Sequence, residues 1–308
     1  MADISASDIP ASGMDASKHG RRVPPVRPER AADRRQLGYV GAVERPLSLW
    51  ERLYGYSWLR RLVILAVLAL AWELYARWIN NPLMLPAFSE VVGALYEETV
   101  HGPLIERTIT TIEVLMIGYS TGLALAAVLT TLAVSTQLGN DVLSTLTAMF
   151  NPLPAIALLP LALLWFGLGI PSLVFVIVHS VVWAVALNTH TGFMSVSQTQ
   201  RMAGQNYGLR GVRYVILLLI PAAFPSILAG LKIGWAFAWR TLIAAELVFG
   251  VSSRSGGLGW YIFENRNQLL TANVFAGLLM VIIIGLLVES VIFRTIEKRT
   301  VQKWGMQN

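Results

Sequence analysis

From residue 62 to residue 296 the sequence is dominated by runs of about 20 apolar residues that carry almost no charge, and this limits the fold more than anything else in it. A helix needs about 20 such residues to cross the hydrocarbon core of a bilayer. Six runs qualify: Leu62–Ile79, Ile109–Val134, Leu143–Leu168, Ser172–Phe193, Pro221–Phe249 and Ala272–Ile296. In lipid every backbone N–H and C=O must find its partner inside the protein, which leaves helices as the simplest spanning element. The chain therefore reads as an all-α polytopic membrane protein with six transmembrane helices. The third run contains Pro152, Pro154 and Pro160 and is expected to be broken and held inside the bundle, where neighbours can satisfy the freed carbonyls.

Composition supports this and narrows the functions. Charged residues make up 14% of the chain, against about a quarter in soluble domains. There is no cysteine, so disulfide scaffolds and thiol chemistry are excluded. The net charge of +6 would suggest nucleic acid in a soluble protein, but in an apolar background it fits basic loops at a membrane and implies no nucleic-acid partner. Residues 1–45, rich in Ala, Ser, Asp, Pro and Arg, bury too little to fold and read as a disordered tail. Residues 46–61 mix Leu, Trp and Tyr with charges, the pattern of an amphipathic helix in the lipid interface. Residues 62–300 form the membrane domain and 301–308 a short C-terminal tail.

Lys and Arg set the orientation. Eighteen lie in residues 1–61, in the 195–220 loop or from Arg294 onward, and four (Arg77, Arg107, Arg254, Arg266) lie on the opposite side. The positive side faces the cytoplasm, so both termini and the 195–220 loop are expected inside the cell.

That loop carries SVSQTQRMAGQNYG (195–208). It can form a short helix capped by Ser195 or Ser197 and stopped by Gly208 in a left-handed conformation. Ala203 and Gly204 would let another surface approach the backbone. A second short helix from about Val212 would run to Pro221, which opens the fifth span. The pair is either a docking handle or an ordinary connector; the residues alone favour neither.

Ala203, Gly208 and Pro221 have the spacing of the EAA loop of ABC-importer permeases, and the chain resembles that family over about residues 62–300. LPAFSEVVGAL (85–95), FNPLPAIALLPLALLWFGLG (150–169), IPAAFPSILAGLKIG (220–234), AAEL (244–247) and GGLGW (256–260) resemble its nitrate, sulfonate and taurine branch. The resemblance implies the type I permease fold with a cytoplasmic coupling helix, formed here by Arg201, Met202, Ala203, Gly204, Gln205, Gly208 and Arg210. It implies a bacterial inner membrane and a homodimer embedded in lipid. It also implies cytoplasmic ATPase subunits that bind ATP and Mg, an external substrate-binding protein, and cargo such as a sulfonate, nitrate or aromatic carboxylate. No cofactor is expected on this chain, which lacks a GxxxxGK[ST] phosphate loop. Met202 stands where the family commonly has Glu, Gly204 where it has a second Ala, and Glu113 where relatives often carry Arg.

Ionisable residues inside spans mark candidate function. Lys232 and Arg240 are eight residues apart, about 80° around a helix, and could border one cavity. Trp235, Phe237 and Trp239 lie between them, so an anion, including an aromatic one, would suit such a wall. The rival reading pairs Arg240 with Glu246, Glu113 or a backbone carbonyl and makes the tryptophans packing or interfacial belt. Glu246 is either a gating group or a helix-end carboxylate in water. His179 and His190 lack the neighbours of a metal site, so no metal is expected. Gly167, Gly169, Gly230 and Gly234 are expected to bring helices close. Two other classes compete with this reading. A secondary carrier or channel would usually show related halves or a proton relay, and an enzyme would need a convergent catalytic set.

Overall fold

The computed structural model describes residues 55–248 and 256–302, and every regular element among them is helical. Helix α1 spans Ser57–Ile79, α2 Phe88–Val100 and α3 Leu104–Ser135. Helix α4 (Gln137–Phe150), a 3-10 turn (Ala155–Leu158) and α5 (Leu159–Phe166) come next. Then follow the long α6 (Ile170–Met194) and the short α7 (Gln198–Asn206). Helix α8 (Gly211–Tyr214) passes through a π-helical turn (Val215–Leu219) into α9 (Ile220–Val248). Helix α10 (Leu258–Asn267) precedes α11 (Thr271–Leu287), which continues through a π turn (Val288–Phe293), α12 (Arg294–Glu297) and a last π turn (Lys298–Gln302).

Five of the described helices are long and apolar enough to cross a membrane, and the α4/α5 pair makes six when counted as one broken span. The axis of that pair turns by 88°. The turn falls at Asn151-Pro152-Leu153-Pro154, where proline removes backbone donors and holds the preceding residue out of the helical region. The expectation of a broken third span therefore agrees with the structure.

Helix α6 is the centre of the membrane domain, packed against α3 on one side and α9 on the other. Half of its apolar window is buried, compared with 6% of that of α1. Small residues four apart make this possible. A Cβ added to Gly118 or Gly122 of α3 would come within 2.6 Å of Ile177 or 2.8 Å of Val181. One added to Gly230 or Gly234 of α9 would come within 2.8 Å of Asn188 or Val185. Backbones at such closeness gain dispersion contacts that lipid chains cannot match. Gly167 and Gly169 serve differently: at φ +73° and +155° they turn the chain from α5 into α6, with no helix close against either.

Several expectations need correction. Residues 57–61 belong to α1, not to a separate interfacial helix, and residues 46–54 lie outside the described residues. So do residues 1–45 and 303–308, while 301–302 close the last π turn. The helix beginning at Gly211 does not stop before the fifth span but runs into it. The widened turn at Val215–Leu219 meets Pro221, which has no N–H to offer the carbonyl of Leu217. Lys232 is absent from the cavity that Arg240 lines. Its ammonium bonds to Glu297 at 2.7 Å, with Glu289 at 3.9 Å, and so ties α9 to the last membrane helix.

Candidate functional site

About a third of the way along α6 from its start, a cavity of about 370 Å³ opens between the α4/α5 break, α6 and α9. Phe150 and Asn151 line it from the break, His179 and Trp183 from α6, and Phe237 and Arg240 from α9. The α9 contribution follows from helical spacing, since Phe237, Arg240, Thr241 and Ala244 share one face of that helix. At 1.5 Å per residue, Arg240 lies about 12 Å from the end of α9 and His179 about 13 Å from the start of α6.

Among the described residues, Arg240 is the only charged one lining this cavity. Its Nε–H donates to the Ala236 carbonyl at 3.1 Å, and its guanidinium carbon sits 5.1 Å from the centre of the Phe237 ring. Its terminal nitrogens have no hydrogen-bond or carboxylate partner among the described residues. A guanidinium with spare N–H groups in a pocket between apolar helices suits a carboxylate, sulfonate or similar oxyanion.

The other residues expected beside it point elsewhere. Trp239 is 7% exposed and belongs to the core, and Trp235 packs edge-on to Tyr119 with ring centres 5.5 Å apart. Glu246 is fully buried, neither in water nor facing the cavity. It accepts from the Gly259 N–H at 2.9 Å and from the Thr111 hydroxyl, which in turn accepts from the Leu258 N–H at 2.7 Å. Two otherwise orphaned donors in the first turn of α10 are thereby satisfied. Gly257 must lack a side chain, because a Cβ there would overlap the Glu246 carboxylate and the Thr111 hydroxyl. Glu113 is exposed on α3 and pairs with neither Arg240 nor Glu246. His179 and Trp183, to which sequence reasoning gave no role, are cavity residues; their spacing of four on an apolar helix was the available signal.

At the other end of α6 lies α7. Ser197, not Ser195, caps it by accepting from the Gln200 N–H at 3.3 Å. Gly208, at φ +76°, ends it: the Gly208 N–H donates to the Gln205 carbonyl and the Leu209 N–H to the Gly204 carbonyl. That pairing needs a left-handed residue at 208, which glycine adopts without penalty. Met202, Ala203, Gln205 and Arg210 are exposed. Gly204 is buried, with Leu218 2.9 Å from where a Cβ would stand, so its smallness serves packing within this chain. Arg201 also turns inward. Its guanidinium donates to the carbonyls of Phe193 (2.6 Å) and Val196 (3.1 Å), capping the end of α6 and tying α7 to it.

Residues 118–302 match the family model described as the binding-protein-dependent transport system inner membrane component. The chain belongs to that family. This permease is 32% identical to a putative ABC transporter permease protein of Methanocaldococcus jannaschii, over 73% of this chain and 84% of the relative. It is 31% identical to the taurine transport system permease protein TauC of Escherichia coli, over 79% and 91% of the two chains. Identity to the nitrate import permease protein NrtB of Synechocystis is 28%, over 80% and 90%. The permease is thus a non-catalytic transmembrane component of an ABC importer of the branch the sequence resembles, with an all-helical membrane fold. The carrier, channel and enzyme readings fall away.

Proposed function

We propose that this permease imports a small organic anion past Arg240, driven by ATP and Mg bound on separate cytoplasmic ATPase subunits that grip α7. A second copy of the chain completes the pathway, an external binding protein delivers the cargo, and both termini face the cytoplasm. The observation that carries the cargo class is the cavity guanidinium with donors to spare. Relatives named for taurine, nitrate, aliphatic sulfonates and bicarbonate agree with it, since each of those cargoes carries an oxyanion. Support for the grip comes from the exposed Met202, Ala203, Gln205 and Arg210 on a helix braced at both ends. The orientation rests on the Lys and Arg distribution.

The test is uptake into proteoliposomes holding the permease, its ATPase and its binding protein. Arg240→Ala should lower uptake at least tenfold, whereas Arg266→Ala, on the exposed part of α10, should leave it within twofold. Equal uptake by the two variants would remove Arg240 from the pathway. An assembled complex with α7 standing bare would remove the coupling role.

A further inference from the structure

Three polar atoms beside the cavity are unaccounted for. Both ring nitrogens of His179 and the indole Nε1 of Trp183 are buried without a hydrogen-bond partner. Inside a bilayer no bulk water relieves such groups, and native structures seldom leave them unpaired without a reason. They occur together because 179 and 183 stand on one face of α6.

A single ring covers both. Phe150 stacks on Trp183 with centres 5.3 Å apart and planes 16° apart, and meets His179 edge-on at 6.0 Å. Phe150 is also the last residue of α4, directly before the break where the axis turns by 88°. A change in that bend moves the cover. On the far wall stand Arg240 and Phe237.

We propose that His179 and Trp183, once Phe150 swings aside, join Arg240 in a binding subsite for an anion that carries a flat aromatic body, an aromatic carboxylate or sulfonate. This deepens the reading of the cavity as the anion pathway and rests on it. The anionic group takes N–H donors from the imidazole, the indole and the guanidinium, while the ring replaces the stacking that Phe150 gives up. Size agrees. A cavity of about 150 Å³ holds benzene, so about 370 Å³ accommodates a ring and its charged group. A nitrate-sized ion would leave the aromatic walls uncovered.

The experiment is saturation-transfer NMR on the solubilised permease–ATPase complex, with benzenesulfonate and methanesulfonate as probes. Benzenesulfonate is expected to bind at least tenfold more tightly. Trp183→Phe, which keeps a ring but loses the N–H, and His179→Leu should each weaken it roughly tenfold, the worth of a hydrogen bond to a charged group. Phe150→Ala should strengthen methanesulfonate binding by exposing the donors. Equal affinity for the two probes overturns the proposal, as does benzenesulfonate binding that neither Trp183→Phe nor His179→Leu alters. Arg240→Ala separates the two levels. If it weakens both probes while the α6 variants do nothing, the anion pathway stands and the aromatic subsite falls. If it changes neither probe, the pathway reading falls as well.

Discussion

Replacing Glu246 by leucine probes the buried network that seats α10. The carboxylate has no exposed surface and accepts from the Gly259 N–H at 2.9 Å and the Thr111 hydroxyl at 3.0 Å. Leucine fills a similar space, so little of the effect comes from a void. What disappears is the acceptor, leaving the Gly259 N–H without a partner and the Thr111 hydroxyl without its carboxylate. Hydrogen bonds to a charged group are worth about 1.5–3 kcal/mol each, and two of them give about 3–6 kcal/mol. Burial of the leucine offsets part of this, so the lower end, about 3 kcal/mol, is the figure to expect for opening the start of α10. At about 1.4 kcal/mol per tenfold, the amides of Leu258 and Gly259 should exchange with deuterium roughly 100-fold faster. Mass spectrometry of a peptide covering residues 256–262 reads this directly in the regime where exchange follows the open population. Glu246→Gln keeps an acceptor oxygen and should raise exchange by less than tenfold. Exchange in Glu246→Leu within threefold of the parent would refute the assignment of this carboxylate as the seat of α10.

Other perturbations follow the same logic. Gly208→Ala forces a side chain into φ +76° at about 1 kcal/mol; α7 should become more susceptible to limited proteolysis, with lower coupled ATPase activity, and an unchanged digestion pattern would contradict the capping role. Gly234→Leu must displace Val185, now 2.8 Å from the position of an added Cβ; overpacking of about 1–3 kcal/mol should lower the thermal midpoint in detergent, and an unaltered midpoint would mean α6 and α9 can separate freely. Lys232→Met breaks the 2.7 Å pair with Glu297, whose partners are 26% and 30% exposed. About 1 kcal/mol should go with it, a shift of roughly 2–4 °C, with anion binding at Arg240 untouched.

The spanning helices could be read from the sequence because hydropathy and length determine them almost alone. Ser172–Phe193 became Ile170–Met194, and Pro221–Phe249 became Ile220–Val248. Helix α2 escaped notice because Ala87, not a Ser, Thr, Asp or Asn, stands at its start, and only Glu90 reaching back to the Ala87 N–H marks it. Helix α10 escaped for a different reason: the groups that satisfy its first turn, Thr111 and Glu246, come from two other helices. At the cavity, Arg240 stood out as a charge within an apolar run, but its neighbours were chosen by nearness in sequence. Trp239 and Trp235 lie about 100° and 140° around the helix from it, whereas Phe237, named with them, lies about 60° and Ala244 about 40° away. Angular bookkeeping would have found the right face of α9. Nothing in the local sequence says that Phe150 covers His179 and Trp183, because that contact depends on how the break folds.

The double tie from Arg201 to the carboxyl end of α6 has a mechanical consequence. Phe193, one of its two acceptors, is ten residues from Trp183, or about 15 Å along one uninterrupted rod. Two short, charge-assisted links leave little slack between α7 and that rod, so under the proposed grip on α7 a push there would not be absorbed in a soft joint. It would arrive as a shift of the wall on which the imidazole and indole stand, while Arg240 rides on a different helix. A stroke at the membrane surface would thus alter the spacing of the two sides of the chamber, with no relay of small side-chain steps between.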